Sequence, residues 1–114
     1  MSSTATVRHS GRVAIIDLAG RITLHDGAGA IRDAVNGVLA GTHRNILLNL
    51  AGVEYIDSSG LGEMSSAYIA VTRLGGQLKL LNPQAKVDGM LQVTRLYSIF
   101  VAFADESAAV ASFR

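Results

Sequence analysis

The chain has 114 residues, 49% of them apolar, enough for one domain with a buried core and too few for two. Ten Lys and Arg against nine Asp and Glu, scattered singly, give a formal charge of +1 with no basic patch for nucleic acid, and the absence of cysteine removes disulfides, thiolate nucleophiles and Cys-ligated metals. No apolar run nears the roughly 20 residues of a membrane span, and the opening MSSTATVRHSGR lacks a charged stretch followed by an apolar one, so a soluble cytoplasmic domain over residues 1–114 is expected.

Thr4 to Arg8 alternate, with Ala5 and Val7 on one face and Thr4, Thr6 and Arg8 on the other, the pattern of an edge strand with one wet side. Ser10-Gly11 reads as a tight turn into a second strand, Val13 to Leu18, ended by Gly20, so the two strands form a hairpin. Arg21 to Asp26 reads as a loop. From Ala28, the residues Ile31, Ala34, Val35, Val38 and Leu39 make an amphipathic helix that Asp26 would cap and Gly41 would end. Gly29 and Gly37 weaken it, each by roughly 1 kcal/mol against alanine.

The stretch from Asn45 to Gly62, NILLNLAGVEYIDSSGLG, organises the chain. Ile46, Leu47, Leu48 and Leu50 form a short apolar run expected of a central strand buried on both faces. A turn is expected at Ala51 and Gly52, with Val53, Tyr55 and Ile56 as further apolar anchors. Asp57-Ser58-Ser59-Gly60 then stands at the start of a helix from about Ser59 to Leu74, whose stripe is Leu61, Met64, Ala67, Tyr68, Val71 and Leu74. Glu63 in the first turn and Arg73 in the last would complement the macrodipole, and Gly75-Gly76 would stop the helix. Free N–H groups at such a start favour an anion such as a phosphate.

Leu78, Leu80 and Leu81 read as another strand, closed by Asn82-Pro83. Val87, Met90, Leu91 and Thr94 carry a third helix, and a last strand, Ile99 to Phe103, leads to Asp105, an N-cap for a terminal helix through Phe113. Strands alternating with helices imply a largely parallel sheet. The expected fold is α/β: a small mixed sheet of about five strands with an N-terminal hairpin, flanked by about four helices.

For chemistry, the serine pair is the one candidate. No G-x-S-x-G elbow surrounds Ser58, and His9, His25 and His43 stand 16 and 18 residues apart with no catalytic or metal-binding spacing. Gly60-Leu61-Gly62 lacks the Lys-Ser/Thr of a P-loop. No catalytic residue, metal, cofactor or small-molecule ligand is therefore indicated. A small serine hydrolase stays as a competitor because His25 lies in a loop able to approach the serines. The plainest reading of the pair is a helix cap. Two hydroxyls, Asp57 before them and glycines on both sides of Leu61 leave room for a surface that another protein approaches closely, a reading that the family likeness described next favours over the cap. Glu63, Ser66 and Thr72 fall off the stripe and would line a docking face.

The run of an apolar strand into D-S-S-G-L-G resembles the signature of the STAS domain, and within it the bacterial anti-sigma-factor antagonists. The likeness extends over nearly the whole chain and implies the same fold. It also implies a non-enzymatic module that binds an anti-sigma factor with serine kinase activity and is released when phosphorylated, with a phosphatase to reverse the change. Carried over residue by residue, the phosphoacceptor is Ser58, and Asp57, Ser59, Gly60, Leu61, Gly62 and Glu63 are partner-binding. Such antagonists commonly carry G-x-L-D after the second strand, where this chain has Gly20-Arg21-Ile22-Thr23. Thr23 thus becomes a partner contact and a candidate second acceptor. It also keeps open a STAS subunit serving a stress-signalling scaffold or a lipid-transport ATPase.

Overall fold

The computed structural model describes residues 3–113. Met1 and Ser2, which open the stretch read against a leader, and Arg114 lie outside the described residues. The elements follow as β1 (Thr4–Ser10), β2 (Val13–Ile22), α1 (Ala28–Leu39), β3 (Asn45–Ile56), α2 (Ser58–Arg73), β4 (Gln77–Leu81), α3 (Ala85–Val93), a 3-10 turn (Leu96–Ser98), β5 (Ala102–Phe103) and α4 (Glu106–Ala111). The five strands form one sheet in sequence order, with β1 antiparallel to β2 and every other pair parallel. The expected α/β architecture is the one found.

β3 lies at the centre because it alternates two sets of large apolar residues. Ile46, Leu48 and Leu50 point to one face, where α1, α2 and α3 supply Ile31, Val35, Met64, Val71, Val87 and Leu91. Leu47 points to the other, where it meets Val13, Ile15, Leu81 and Ala109 of α4. A strand covered on both sides has no polar face, which is why its sequence runs apolar almost without alternation. Arg8 fastens α4 to the hairpin by pairing with both Asp17 and Glu106 at 2.6 Å. Both carboxylates are held below their usual range by that guanidinium.

Several boundaries move. The hairpin turn is Gly11-Arg12, one residue later than the pattern suggests. β2 does not stop at Gly20 but runs to Ile22, and β3 does not turn at Ala51-Gly52 but continues to Ile56. The glycines serve a bulge instead. Asp17 pairs with Asn49 and Ala19 with Gly52, so β3 gains a residue on β2, and it gains another between Gly20–Val53 and Arg21–Tyr55. A Cβ on Gly52 would lie 3.0 Å from Leu18 O and from Ala19 Cβ, while Gly20 takes φ 96°. Side chains satisfy the displaced backbone: Ala51 N–H donates to Asn49 Oδ1 at 3.1 Å, and Gln84 Nε2 donates to Ala51 O at 2.6 Å. The residues that signal a turn also suit a bulge, and only the pairing decides.

Asp26 does not cap α1. Its carboxylate accepts from Ser3 N and Oγ, and the N-cap position is Gly27, with no side-chain bond. Leu74 leaves the expected stripe: it is the C-cap of α2 and half exposed. Thr94, at the C-cap of α3, is exposed as well. The last strand shortens to Ala102–Phe103, because Phe100 turns into the core behind the 3-10 turn while Ile99 and Val101 stay exposed. Asp105 caps α4 as expected, accepting from Ala108 N at 2.8 Å.

Candidate functional site

The parallel pairing of β2 and β3 ends with Ile22 beside Ile56, so both chains leave the sheet together. β2 continues into the loop Thr23 to Gly27, and β3 into Asp57 and α2. Asp57 joins the two. Its N–H donates to Ile22 O at 3.1 Å, its Oδ1 accepts from Gly60 N at 3.0 Å, and its Oδ2 accepts from Leu24 N at 3.2 Å. The carboxylate is thus the N-cap of α2 and the anchor of the neighbouring loop. The Gly60 N–H, followed by that of Leu24, holds it below the usual carboxylate range against the opposing effect of burial.

This assigns the cap, and it is neither serine. Ser58 is the first helical residue and is exposed; Ser59 is the second and half-buried. Among the described residues neither hydroxyl takes part in a hydrogen bond. A hydroxyl at this position stands at the N-terminus of a sixteen-residue helix, where a negative group is favoured.

The remaining candidates divide. Gly62 is exposed with open space where a Cβ would stand, so the backbone there is approachable. Gly60 is buried, and a Cβ on it would lie 2.6 Å from Ile56 Cγ1 and 2.8 Å from Ile22 O and Cγ2. The view that both glycines bare the first turn for a partner therefore fails at Gly60, which lets the helix sit on the strand ends. Leu61 is likewise in the core, at 4% exposure. Glu63 is beyond the first turn, contrary to expectation, and pairs with Arg32 of α1 at 2.7 Å. Along this pair runs a groove of about 290 Å³ between α1 and α2, bordered by Arg32, Asn36, Glu63 and Ser66. Thr72 is not on that groove; its hydroxyl returns to Tyr68 O and Ile69 O.

Thr23 reaches the site through its loop, which closes on itself by mutual backbone bonds between Thr23 and Asp26. Two residues join the site that the sequence pattern did not mark. Leu24, 66% exposed, projects from the loop that Asp57 holds, and Arg32 reaches Glu63 across 31 positions. Nothing local in the sequence signals either contact, because both depend on which elements are neighbours. Among the described residues no hydrogen bond links His9, His25 or His43 to either serine. Among the described residues no group of three or more His, Asp or Glu gathers to hold a metal, and no helix is long and apolar enough to cross a membrane.

Residues 4–109 match the STAS domain family. The chain belongs to the STAS family. This STAS domain is 23% identical over 106 residues to the anti-sigma F factor antagonist of Paenibacillus polymyxa, spanning 93% of this chain and 91% of that protein. Its fold superposes on an anti-sigma factor antagonist from Mycobacterium paratuberculosis with a TM-score of 0.86 at 21% identity, over 97% of this chain and 93% of the other. It also superposes on SpoIIAA in its unphosphorylated form, with a TM-score of 0.73 at 21% identity, over 95% of this chain and 96% of that one. The phosphorylated form of the same Bacillus cell fate determinant gives 0.72 at 22% identity, over 95% and 97%.

Proposed function

We propose that this STAS domain is an anti-sigma-factor antagonist, a protein-binding switch that engages an anti-sigma factor with kinase activity and lets go when Ser58 is phosphorylated. The observation that carries the reading is the division of labour at the start of α2. Asp57 makes the cap, and Ser58 is left exposed with its hydroxyl unbonded among the described residues. The existence of SpoIIAA, a protein of like fold, in phosphorylated and unphosphorylated forms supports the same reading.

The mechanism needs no refolding. A phosphoserine brings about two negative charges and three acceptor oxygens at neutral pH. On Ser58 these would face the N–H end of α2, which tolerates them, but would intrude on an interface closed around a neutral hydroxyl. The partner would meet Ser58, Ser59 and Gly62, the loop carrying Thr23, and the α1–α2 groove beside Glu63. A phosphatase would reset the switch. Thr23, in place of the acidic residue common in these antagonists, favours a partner different from theirs at this loop, and a second STAS role in a signalling scaffold fits that feature.

The test is capture of partners on the purified chain from extract of the native cell, read by mass spectrometry, with wild type and Ser58→Asp side by side. The expected result is an anti-sigma factor of the kinase type held by the wild type and lost with Ser58→Asp, and phosphate mapped to Ser58 after incubation with that kinase and ATP. Equal retention by both forms, or phosphate on Ser59 alone, refutes the switch. Ester hydrolysis abolished by Ser58→Ala would instead make the protein an enzyme.

A further inference from the structure

At the far end of β3 from Ser58 the molecule carries a second site, independent of the switch. The β1–β2 turn, the loop between α1 and β3, and the glycine pair after α2 converge there. They enclose a surface cavity of about 340 Å³ lined by Gly11, Arg12, Thr42, His43, Arg44 and Gly75. Gly11 and Gly75, at φ 59° and 83°, form two of its corners, and Gly76 lies so close on the Arg44 backbone that no Cβ would fit.

The charge of this cavity is one-sided. Arg44 Nη1 donates to the carbonyls of Leu39, Gly41 and His43 at 3.3, 2.9 and 2.9 Å, which fixes the guanidinium without a counter-charge. Among the described residues the ion pairs are made by Arg8 and Arg32; Arg12 and Arg44 have none. Among the described residues no Asp or Glu lines the cavity. His43 is steadied by the ring of His9, with centroids 4.4 Å apart. Two arginines, one with its guanidinium held in place, thus line one cavity with no carboxylate among its described lining residues, a setting that favours an anion.

A second cavity of about 190 Å³ shares Gly11, Arg12 and Asn45 with the first and extends it to Val110 and Phe113. The Phe113 ring is held by Lys79, whose ammonium lies 4.8 Å from the ring centroid and donates to Ser112 O and Oγ. The cleft is therefore basic at one end and apolar at the other.

We propose that this cleft binds a small phosphate monoester with an apolar or aromatic body, the phosphate between Arg12 and Arg44 and the body against Val110 and Phe113. A phosphate suits the basic end better than a carboxylate, because its double charge and three oxygens can engage both guanidinium groups at once.

The experiment is a titration of the whole chain, followed by amide NMR shifts, with phenyl phosphate, inorganic phosphate and benzoate. Phenyl phosphate should give saturable shifts at Gly11, Arg12, Thr42 and Gly75, and should bind more tightly than either of the others. Arg12→Gln, an exposed turn position, should melt as the wild type does and bind phenyl phosphate about tenfold more weakly, the usual effect of losing a charged hydrogen bond. Phe113→Ala should weaken phenyl phosphate and leave inorganic phosphate unchanged. Shifts confined to Ser58–Gly62, no saturation at the cleft, benzoate equal to phenyl phosphate, or wild-type affinity in Arg12→Gln would each overturn the assignment.

Discussion

The two helices that flank the candidate site start side by side and by opposite means. α2 starts on a local device: Asp57, in an extended conformation at φ −106°, takes the Gly60 N–H. α1 starts at Gly27, in a left-handed conformation at φ 96°, with no side-chain cap, and Asp26 beside it is turned away to Ser3. A Cβ on Gly27 would lie 2.7 Å from Ser3 Oγ and 2.9 Å from Arg21 O, so tertiary contact fixes that start. A helix start that closes itself leaves its neighbouring side chains uncommitted. That is the physical reason two serines remain available at α2, while the start of α1 presents no such group.

The largest test of this comparison is a methyl group. Gly60→Ala sets a Cβ against Ile56 and the Ile22 carbonyl, and the backbone of β2 must shift to admit it. A loss of about 1–3 kcal/mol is expected, the usual range for overpacking a filled core. Gly62→Ala adds the same methyl two residues on, in open space and in a helix, and should stabilise by about 0.4–1 kcal/mol. Chemical denaturation of the two variants gives the contrast directly. Equal losses would mean that Gly60 is not the seat of the helix on the sheet.

Next in size is the cap. Asp57→Ala removes acceptors from Gly60 N and Leu24 N at once and should lower the melting temperature by several degrees. The effect has a pH signature. The folded-state pKa of Asp57 lies below the unfolded value, so its contribution is fully present above the unfolded pKa, near 4, and is lost as pH falls through the folded pKa. Wild type and Asp57→Ala should therefore differ most near neutrality and converge in acid. A difference that grows as pH falls would contradict the cap. Asp26→Ala should have the smaller effect of the two, since it frees Ser3 but uncaps nothing.

The same contrast explains what the sequence made legible. The element types, their order, the central position of β3 and the α2 stripe could be read, because buried strands and amphipathic helices impose local patterns. Asp105 could be identified as a cap from its place before Glu106, and Asp57 stood in the corresponding position before Ser58. Gly20 and Gly52 suggest ends and turns in the sequence, because a glycine signals departure from regular geometry without saying whether the chain reverses or bulges. Gly60 reads as bared surface in the sequence because part of its cover, Ile22, is 38 positions away in the chain and Ile56 meets it only through the turn at Asp57. Asp26 has the sequence position of a cap, but its carboxylate is taken by Ser3. The basic cleft leaves no local trace, since Arg12 and Arg44 come to one cavity only through the pairing of Val13 with Asn45.

The smallest expected effects belong to the serines themselves, and they bear most directly on the comparison. If either hydroxyl shared the capping of α2, its removal would cost roughly 1 kcal/mol. Asp57 takes the Gly60 N–H, and neither the Ser58 nor the Ser59 hydroxyl takes part in a hydrogen bond among the described residues. Alanine is a good helix former at the first and second positions. Ser58→Ala and Ser59→Ala should each fall within about 0.5 kcal/mol of wild type, like other surface changes away from special features. The double variant should add the two small terms. Thermal and urea melts of the three proteins check this, with Asp57→Ala as the reference for a lost cap. A Ser59→Ala loss as large as that of Asp57→Ala would move the cap from the aspartate to the serine pair, and the hydroxyls would then be structural groups.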